Sequence, residues 1–115
     1  MLVVEDEFLI ATELRLLLGR RGWRVLGPAP TVEAALRLLE DGRERPDAAL
    51  LDADLRGEPA TPVATRLREL GVPFVLASAY DADQLAALGL GGAPNVGKPT
   101  DARRLLAALA RVKGR

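Results

Sequence analysis

Five short apolar runs, each ending in a turn or a polar residue, alternate along this chain with stretches of helical spacing. No other feature limits the fold as strongly. Bounded apolar runs of this length read as buried strands, and they lie at residues 1–5, 23–26, 47–51, 73–77 and 94–97. The first run is short, so the natural start is expected a residue or two upstream. In the 7–20 stretch Ile10, Leu14, Leu17 and Leu18 share one helical face, and Gly22 follows as a stop. Thr31 is placed to cap a helix that ends at Asp41-Gly42, with Val32, Ala35, Leu36 and Leu39 inward. Thr61-Pro62 has the form of an N-cap followed by an N1 proline, ahead of Val63, Leu67 and Leu70 as an inner face. Asp81 caps a short helix through Leu88, and Thr100 or Asp101 caps the last one. In that last helix Ala102, Leu105, Leu106, Leu109 and Val112 point inward, and Arg111, Lys113 and Arg115 suit the negative end of its dipole. Residues 56–60 read as a loop closing the third run with Gly57 and Pro59, and Gly27-Pro28 closes the second. Residues 89–92 are expected to be flexible, and Pro94 suits an edge strand.

Alternation of this kind places helices on both faces of a parallel sheet. The expected fold is α/β: a flavodoxin-like (βα)5, doubly wound five-stranded parallel sheet with strand order 2-1-3-4-5, in one domain over residues 1–115. Ligands of such sheets bind outside the carboxyl ends of the strands where the order reverses, here between the first and third. Glu5 and Asp6 end the first run and Asp52 ends the third; Ser78 and Lys98 end the fourth and fifth on the same rim. Three carboxylates at neighbouring strand ends repel one another unless a divalent cation neutralises them. A carboxylate beside such a cation can attack phosphorus, with a lysine and a hydroxyl around the transferred group. Taken singly, each residue has a plain explanation: acids after strands are commonly solvated loop, a serine is more often structural, and a lysine before proline is usually on the surface. Their joint order at the strand ends is what points to a site.

Composition narrows the chemistry. Sixteen basic and sixteen acidic side chains give a formal net charge of zero, which argues against a strongly electrostatic nucleic-acid or membrane binder. The absence of cysteine excludes disulfides and thiolate chemistry, and the absence of histidine excludes His-based acid–base work and imidazole metal ligands. Any metal must be held by oxygen, which favours Mg²⁺, Mn²⁺ or Ca²⁺. No run approaches the ~18 apolar residues of a membrane span and no charged-then-apolar leader is seen, so the expected location is cytoplasmic.

The pair Glu5-Asp6, Asp52 after an apolar strand, Ser78 and Lys98-Pro99 resemble the bacterial two-component response-regulator receiver domain over nearly the whole chain. Residues 51–58, Pro62-Val63-Ala64 and residues 71–74 resemble the receivers nicknamed for a Phe-Ala-Thr-Gly-Tyr run, which here reads Val75-Leu76-Ala77-Ser78-Ala79-Tyr80. Many of those are single-domain proteins, and this chain is either such a regulator or a piece of a longer one. The resemblance implies that Asp52 accepts a phosphoryl group from a histidine kinase or a histidine phosphotransfer protein. It implies Mg²⁺ (or Mn²⁺) bound by Asp6 and Asp52 directly, by Glu5 mostly through water, and by the backbone carbonyl of Asp54. Ser78 then bonds the phosphoryl group and Lys98 forms an ion pair with it. The chain is accordingly expected not to be an enzyme beyond its own phosphorylation and dephosphorylation, and to act through an unknown output protein, without direct nucleic-acid or membrane contact. A homodimer through the fourth and fifth helices and the fifth strand is open. Two positions depart from the ordinary pattern. Asn95 stands where receivers carry an aromatic three residues before the lysine, leaving Tyr80 as a switch candidate, and Asp54 carries a charge where members of this kind often have Asn.

Two rivals are weighed beside this. A pseudo-receiver, a binding module that is never phosphorylated, is separated by whether Asp52 takes up phosphate. A haloacid-dehalogenase-like phosphatase also uses Asp-x-Asp, but there the motif follows the first strand and usually continues Gly-Thr. Here it follows the third, Leu55-Arg56 comes next, and the chain is short for a cap.

Overall fold

The computed structural model describes residues 1–41 and 45–113, apart from the Lys113 side chain. The expected Gly42 stop and the cations Lys113 and Arg115 lie outside the described part. In chain order the elements are β1 (Leu2–Val4), α1 (Phe8–Arg20), β2 (Leu26–Ala29), α2 (Val32–Glu40), β3 (Ala49–Asp52), β4 (Asp54–Leu55), β5 (Glu58–Pro59), α3 (Thr61–Glu69), β6 (Phe74–Ala77), α4 (Ala82–Ala87) and α5 (Ala102–Lys113). A parallel sheet runs β2-β1-β3-β6. Residues 94–96 lie against the free edge of β6 through a bridge between Leu76 and Asn95.

Every residue of β1, β3 and β6 is buried, which is why their sequences are unbroken apolar runs rather than alternating ones. Alternation reappears in where the side chains go. Leu2, Val4, Ala49, Leu51, Phe74 and Leu76 face a core shared with Ala35, Leu39, Val63, Leu67 and Leu85 of α2, α3 and α4. Val3, Leu50, Val75 and Ala77 face the opposite core, with Leu14 and Leu18 of α1 and Leu105, Ala108 and Leu109 of α5. The period of two along each strand therefore builds two cores on one sheet, the doubly wound flavodoxin-like arrangement.

The edges depart from expectation. The second strand is not 23–26 but Leu26–Ala29, and the Gly27-Pro28 pair expected to close it lies inside it. An edge strand tolerates proline because its outward side has no ladder to feed. Gly27 has φ +92, and a Cβ there would sit 2.6 Å from the Ala29 nitrogen and 2.9 Å from the Val3 oxygen, both backbone atoms. Gly27→Ala is therefore expected to cost about 3 kcal/mol or more, by left-handed strain and a clash that no rotamer relieves; urea unfolding measures it, and a loss below about 1 kcal/mol would show that β2 shifts freely. The fifth strand shrinks to one bridge, with Leu76 N–H donating to the Pro94 oxygen at 2.7 Å and Val96 N–H to the Leu76 oxygen at 2.8 Å. Pro94 can only accept, and the next rung is made by a side chain, as described below.

Residues 56–60 are not a plain loop. β4 and β5 form an antiparallel hairpin around Arg56 and Gly57, whose φ of 54 and 88 fit a two-residue turn of the primed kind. The Asp54 carboxylate accepts the Gly57 N–H at 2.9 Å and steadies that turn. Ala60, rather than Thr61, is the N-cap of α3; the Thr61 hydroxyl instead donates to the Leu88 oxygen at 2.6 Å. Arg68 of α3 donates to the oxygens of Gly89 (2.8 Å) and Gly91 (3.3 Å), so the glycine-rich segment expected to be flexible is tethered to α3. Thr31 caps α2 through the Ala34 N–H, Asp81 and Gln84 form a reciprocal capping box on α4, and Asp101 rather than Thr100 accepts the first N–H groups of α5. Among the described residues no helix is long and apolar enough to cross a membrane.

Candidate functional site

Burial of β1 and β3 on both faces carries their last residues to the carboxyl edge of the sheet inside the protein. Glu5 follows β1 at 2% exposure and Asp52 ends β3 at 3%. Register places Ala77 beside Asp52, so Ser78, also buried, begins just past the same rung. Asp6 is half-buried next to Glu5. Glu5, Asp6 and Asp52 each offer a carboxylate oxygen within 4.8 Å of the others. Lys98 reaches in from beyond the bridge: its Nζ lies 2.6 Å from Asp52 Oδ2 and 3.8 Å from Glu5 Oε1. The structure thus brings Glu5, Asp6, Asp52, Ser78 and Lys98 to one edge.

Backbone groups fix the acids. Asp52 Oδ1 accepts the Asp54 N–H at 3.1 Å, and Glu5 Oε1 accepts the Glu7 N–H at 3.2 Å. Glu5 Oε2 is buried without a hydrogen-bond partner. An orphaned carboxylate oxygen in a cluster of hard oxygen donors, with no imidazole or thiolate nearby, fits a small divalent cation such as Mg²⁺. Asp54 contributes its N–H to Asp52, while its carboxylate is taken by the hairpin turn.

Burial pushes the Glu5 carboxyl up to about 7, helped by the charge of Asp52 and opposed by the Glu7 N–H and by Lys98. Burial also raises Asp52, against the hydrogen bond from Lys98. For Lys98 burial works in the opposite sense, but its bond to Asp52 and the charges of Asp52, Glu5 and Glu7 prevail and hold the ammonium above its ordinary value.

Tyr80 is half-buried with its side chain packed against the core under α2 and α3. Its N–H donates to Ser78 Oγ at 2.9 Å. Two contributors escaped the sequence reading. Arg56, given no role at the site there, sits at the hairpin tip with Nε 3.7 Å from Asp6 Oδ2; the weak signal was an Arg-Gly turn directly after the acidic strand end. Asn95 was noted only for the aromatic it lacks, yet its carboxamide bonds the backbone of Ser78, Tyr80 and Gly97.

A doubly wound sheet with a buried carboxylate at the end of its third strand, an acidic pair after the first and a lysine across from them defines a receiver-type α/β protein. The family model described as response regulator receiver domain matches residues 1–110. The chain is 34% identical to the sensory transduction protein LytT of Bacillus subtilis, over 97% of this chain and 47% of that protein. It is 36% identical to the sensory transduction protein RegX3 of Mycolicibacterium smegmatis, over 94% and 47%. Among solved structures it resembles SdrG of Sphingomonas melonis, with 36% identity, a TM-score of 0.77 and coverage of 97% of this chain and 93% of that one. The chain belongs to the response regulator receiver domain family of two-component systems, and it spans about half the length of the curated relatives it matches.

Proposed function

We propose that Asp52 is the phosphoacceptor of this receiver, taking a phosphoryl group from a histidine kinase or histidine phosphotransfer protein. The observation that carries this reading is the Lys98 ammonium 2.6 Å from Asp52 Oδ2 inside a cluster of carboxylates. Glu5, Asp6 and Asp52, with the backbone carbonyl of Asp54, would hold Mg²⁺. That ion, when bound, neutralises the cluster and draws charge from the phosphoryl oxygens. The residues supply the rest. Lys98 counters the burial that raises Asp52, and an Asp52 oxygen attacks phosphorus. The new O–P bond forms as the donor's P–N bond breaks, and the imidazole leaves with a proton. The Lys98 ammonium then pairs with the phosphoryl oxygens. Ser78 Oγ already accepts the Tyr80 N–H, which leaves its own proton to donate to a phosphoryl oxygen.

A donor protein needs a landing surface beside Asp52. Phe8 and Leu9 at the start of α1 are 80% and 74% exposed. A groove between Phe8 and the Gly27, Pro28 and Pro30 segment opens next to Glu5 and Asp6, which suits an apolar partner face carrying the phosphohistidine. On this reading the chain catalyses only its own phosphorylation and dephosphorylation, in the cytoplasm. Incubation with acetyl phosphate and Mg²⁺ followed by intact-mass measurement tests it. Wild type is expected to gain one phosphate-sized adduct and Asp52→Asn none; an adduct on Asp52→Asn, or none on wild type, would overturn the assignment.

A further inference from the structure

One side chain completes the sheet where the backbone stops. The last backbone rung between residues 94–96 and β6 is made at Leu76. Two residues further on the same strand line, both backbone groups of Ser78 are met by the carboxamide of Asn95: Ser78 N–H donates to Oδ1 at 3.0 Å, and Nδ2 donates to the Ser78 oxygen at 3.1 Å. The same Oδ1 accepts the Gly97 N–H at 3.0 Å, and Nδ2 reaches the Tyr80 oxygen at 3.4 Å. Those four bonds occupy every hydrogen-bonding position an asparagine side chain has. The amide orientation is also self-consistent: a flipped group would set NH₂ against two N–H donors and oxygen against two carbonyls. From the other side Arg104 of α5 donates to the Asn95 backbone oxygen at 3.2 Å. One planar group thus holds the backbone of Ser78 and of Gly97, the residue before Lys98.

We propose that Asn95 is a positioning residue for phosphoryl transfer, acting through Ser78. This rests on the reading of Asp52 as acceptor. Ser78 Oγ is set by the chain direction at residue 78, and that direction is clamped at both its N–H and its C=O by Asn95. With the clamp gone, the 78–80 turn is free to rotate the hydroxyl away from the rung of Asp52. Asn95 is outside the acidic cluster and offers no ligand to it.

The test is a double-mutant cycle on the full chain, with initial rates of labelling by acetyl phosphate and Mg²⁺ read by intact mass, and Mg²⁺ affinity read by calorimetry. Asn95→Ala and Ser78→Ala are each expected to slow labelling about tenfold, less than the loss of a donor in a fully enclosed site. The double variant should be no slower than Ser78→Ala, because residues acting through one another are non-additive. Mg²⁺ affinity of Asn95→Ala should stay within about twofold of wild type, since the acidic cluster is intact. Asn95→Asp keeps the acceptor for Ser78 and Gly97 but loses the donors. It should fall between wild type and Asn95→Ala, and it replaces Asn95→Ala in the cycle if that variant does not fold. Labelling of Asn95→Ala at the wild-type rate, or losses that multiply in the double variant, would overturn the inference while leaving Asp52 as acceptor. An unlabelled wild type would overturn both.

Discussion

Without divalent metal, Glu5→Gln is expected to be more stable than wild type at pH 8 by about 3 kcal/mol, roughly 10 °C or more in melting temperature. The advantage should fade to nothing below about pH 4.5, the ordinary glutamate value. Glu5 is raised in the folded protein from 4.5 to about 7, chiefly by burial. Between those values the folded state holds a proton that the unfolded chain has released. Wild-type stability therefore falls as pH rises through the window and is lowest above pH 7. Glutamine is neutral throughout, so its curve lacks this slope; below the window both residues are neutral and the curves meet. Mg²⁺ should restore the wild type by ~2.7 kcal/mol at a hundred times its dissociation constant, and restore the glutamine variant less, because one ligand has gone. Glu5 is the residue to change because its Oε2 has no partner, whereas Asp52 already has Lys98 as counter-charge. Chemical denaturation in chelator across pH 4 to 8.5 measures the effect, and a wild type that gains stability toward pH 8 would contradict it.

Lys98→Met should separate the lysine's roles. The methionine keeps most of the apolar stem and removes the charge. In chelator at pH 7.5 the variant should lose about 2 kcal/mol, since breaking an enclosed pair leaves Asp52 and Glu5 uncompensated. Lys98 is raised above 10.5 by its bond to Asp52, so wherever Asp52 is ionised wild type holds this contribution, and at the alkaline end it is lost as pH climbs past the raised value. Mg²⁺ should bind the variant about tenfold more tightly, because the ammonium no longer competes for Asp52 Oδ2. Calorimetric titration decides this; weaker Mg²⁺ binding in Lys98→Met would mean that the lysine organises the carboxylates rather than opposing the metal.

Legibility in the sequence followed burial. β1, β3 and β6 are covered on both faces, so each had to be a continuous apolar run and could be read directly. The acids and Ser78 were legible as rim residues because each ends or follows such a run, and Lys98 because it follows the edge segment 94–97; a parallel sheet sends all carboxyl ends to one side. Caps were legible wherever the bond is local, as at Thr31 and Asp81. Thr61 was misread because its hydroxyl is used by Leu88, distant in sequence.

What the sequence determined by itself was the layer order and the rim, since alternation and burial are properties of the residues along the chain. Tertiary structure decided the rest. It set where the edge strands begin and end, because β2 and residues 94–96 are held by one neighbour and are rich in glycine and proline, so pairing outweighs local pattern. It set the 2.6 Å contact of Lys98 with Asp52 and the raised carboxyl of Glu5, because electrostatics in a partly dry site depends on which charges the fold brings together and how much water it removes. And it set the part played by Asn95: an asparagine three residues before a lysine gives no sign of a backbone clamp, and its carboxamide matters because the sheet places it against the backbone of Ser78.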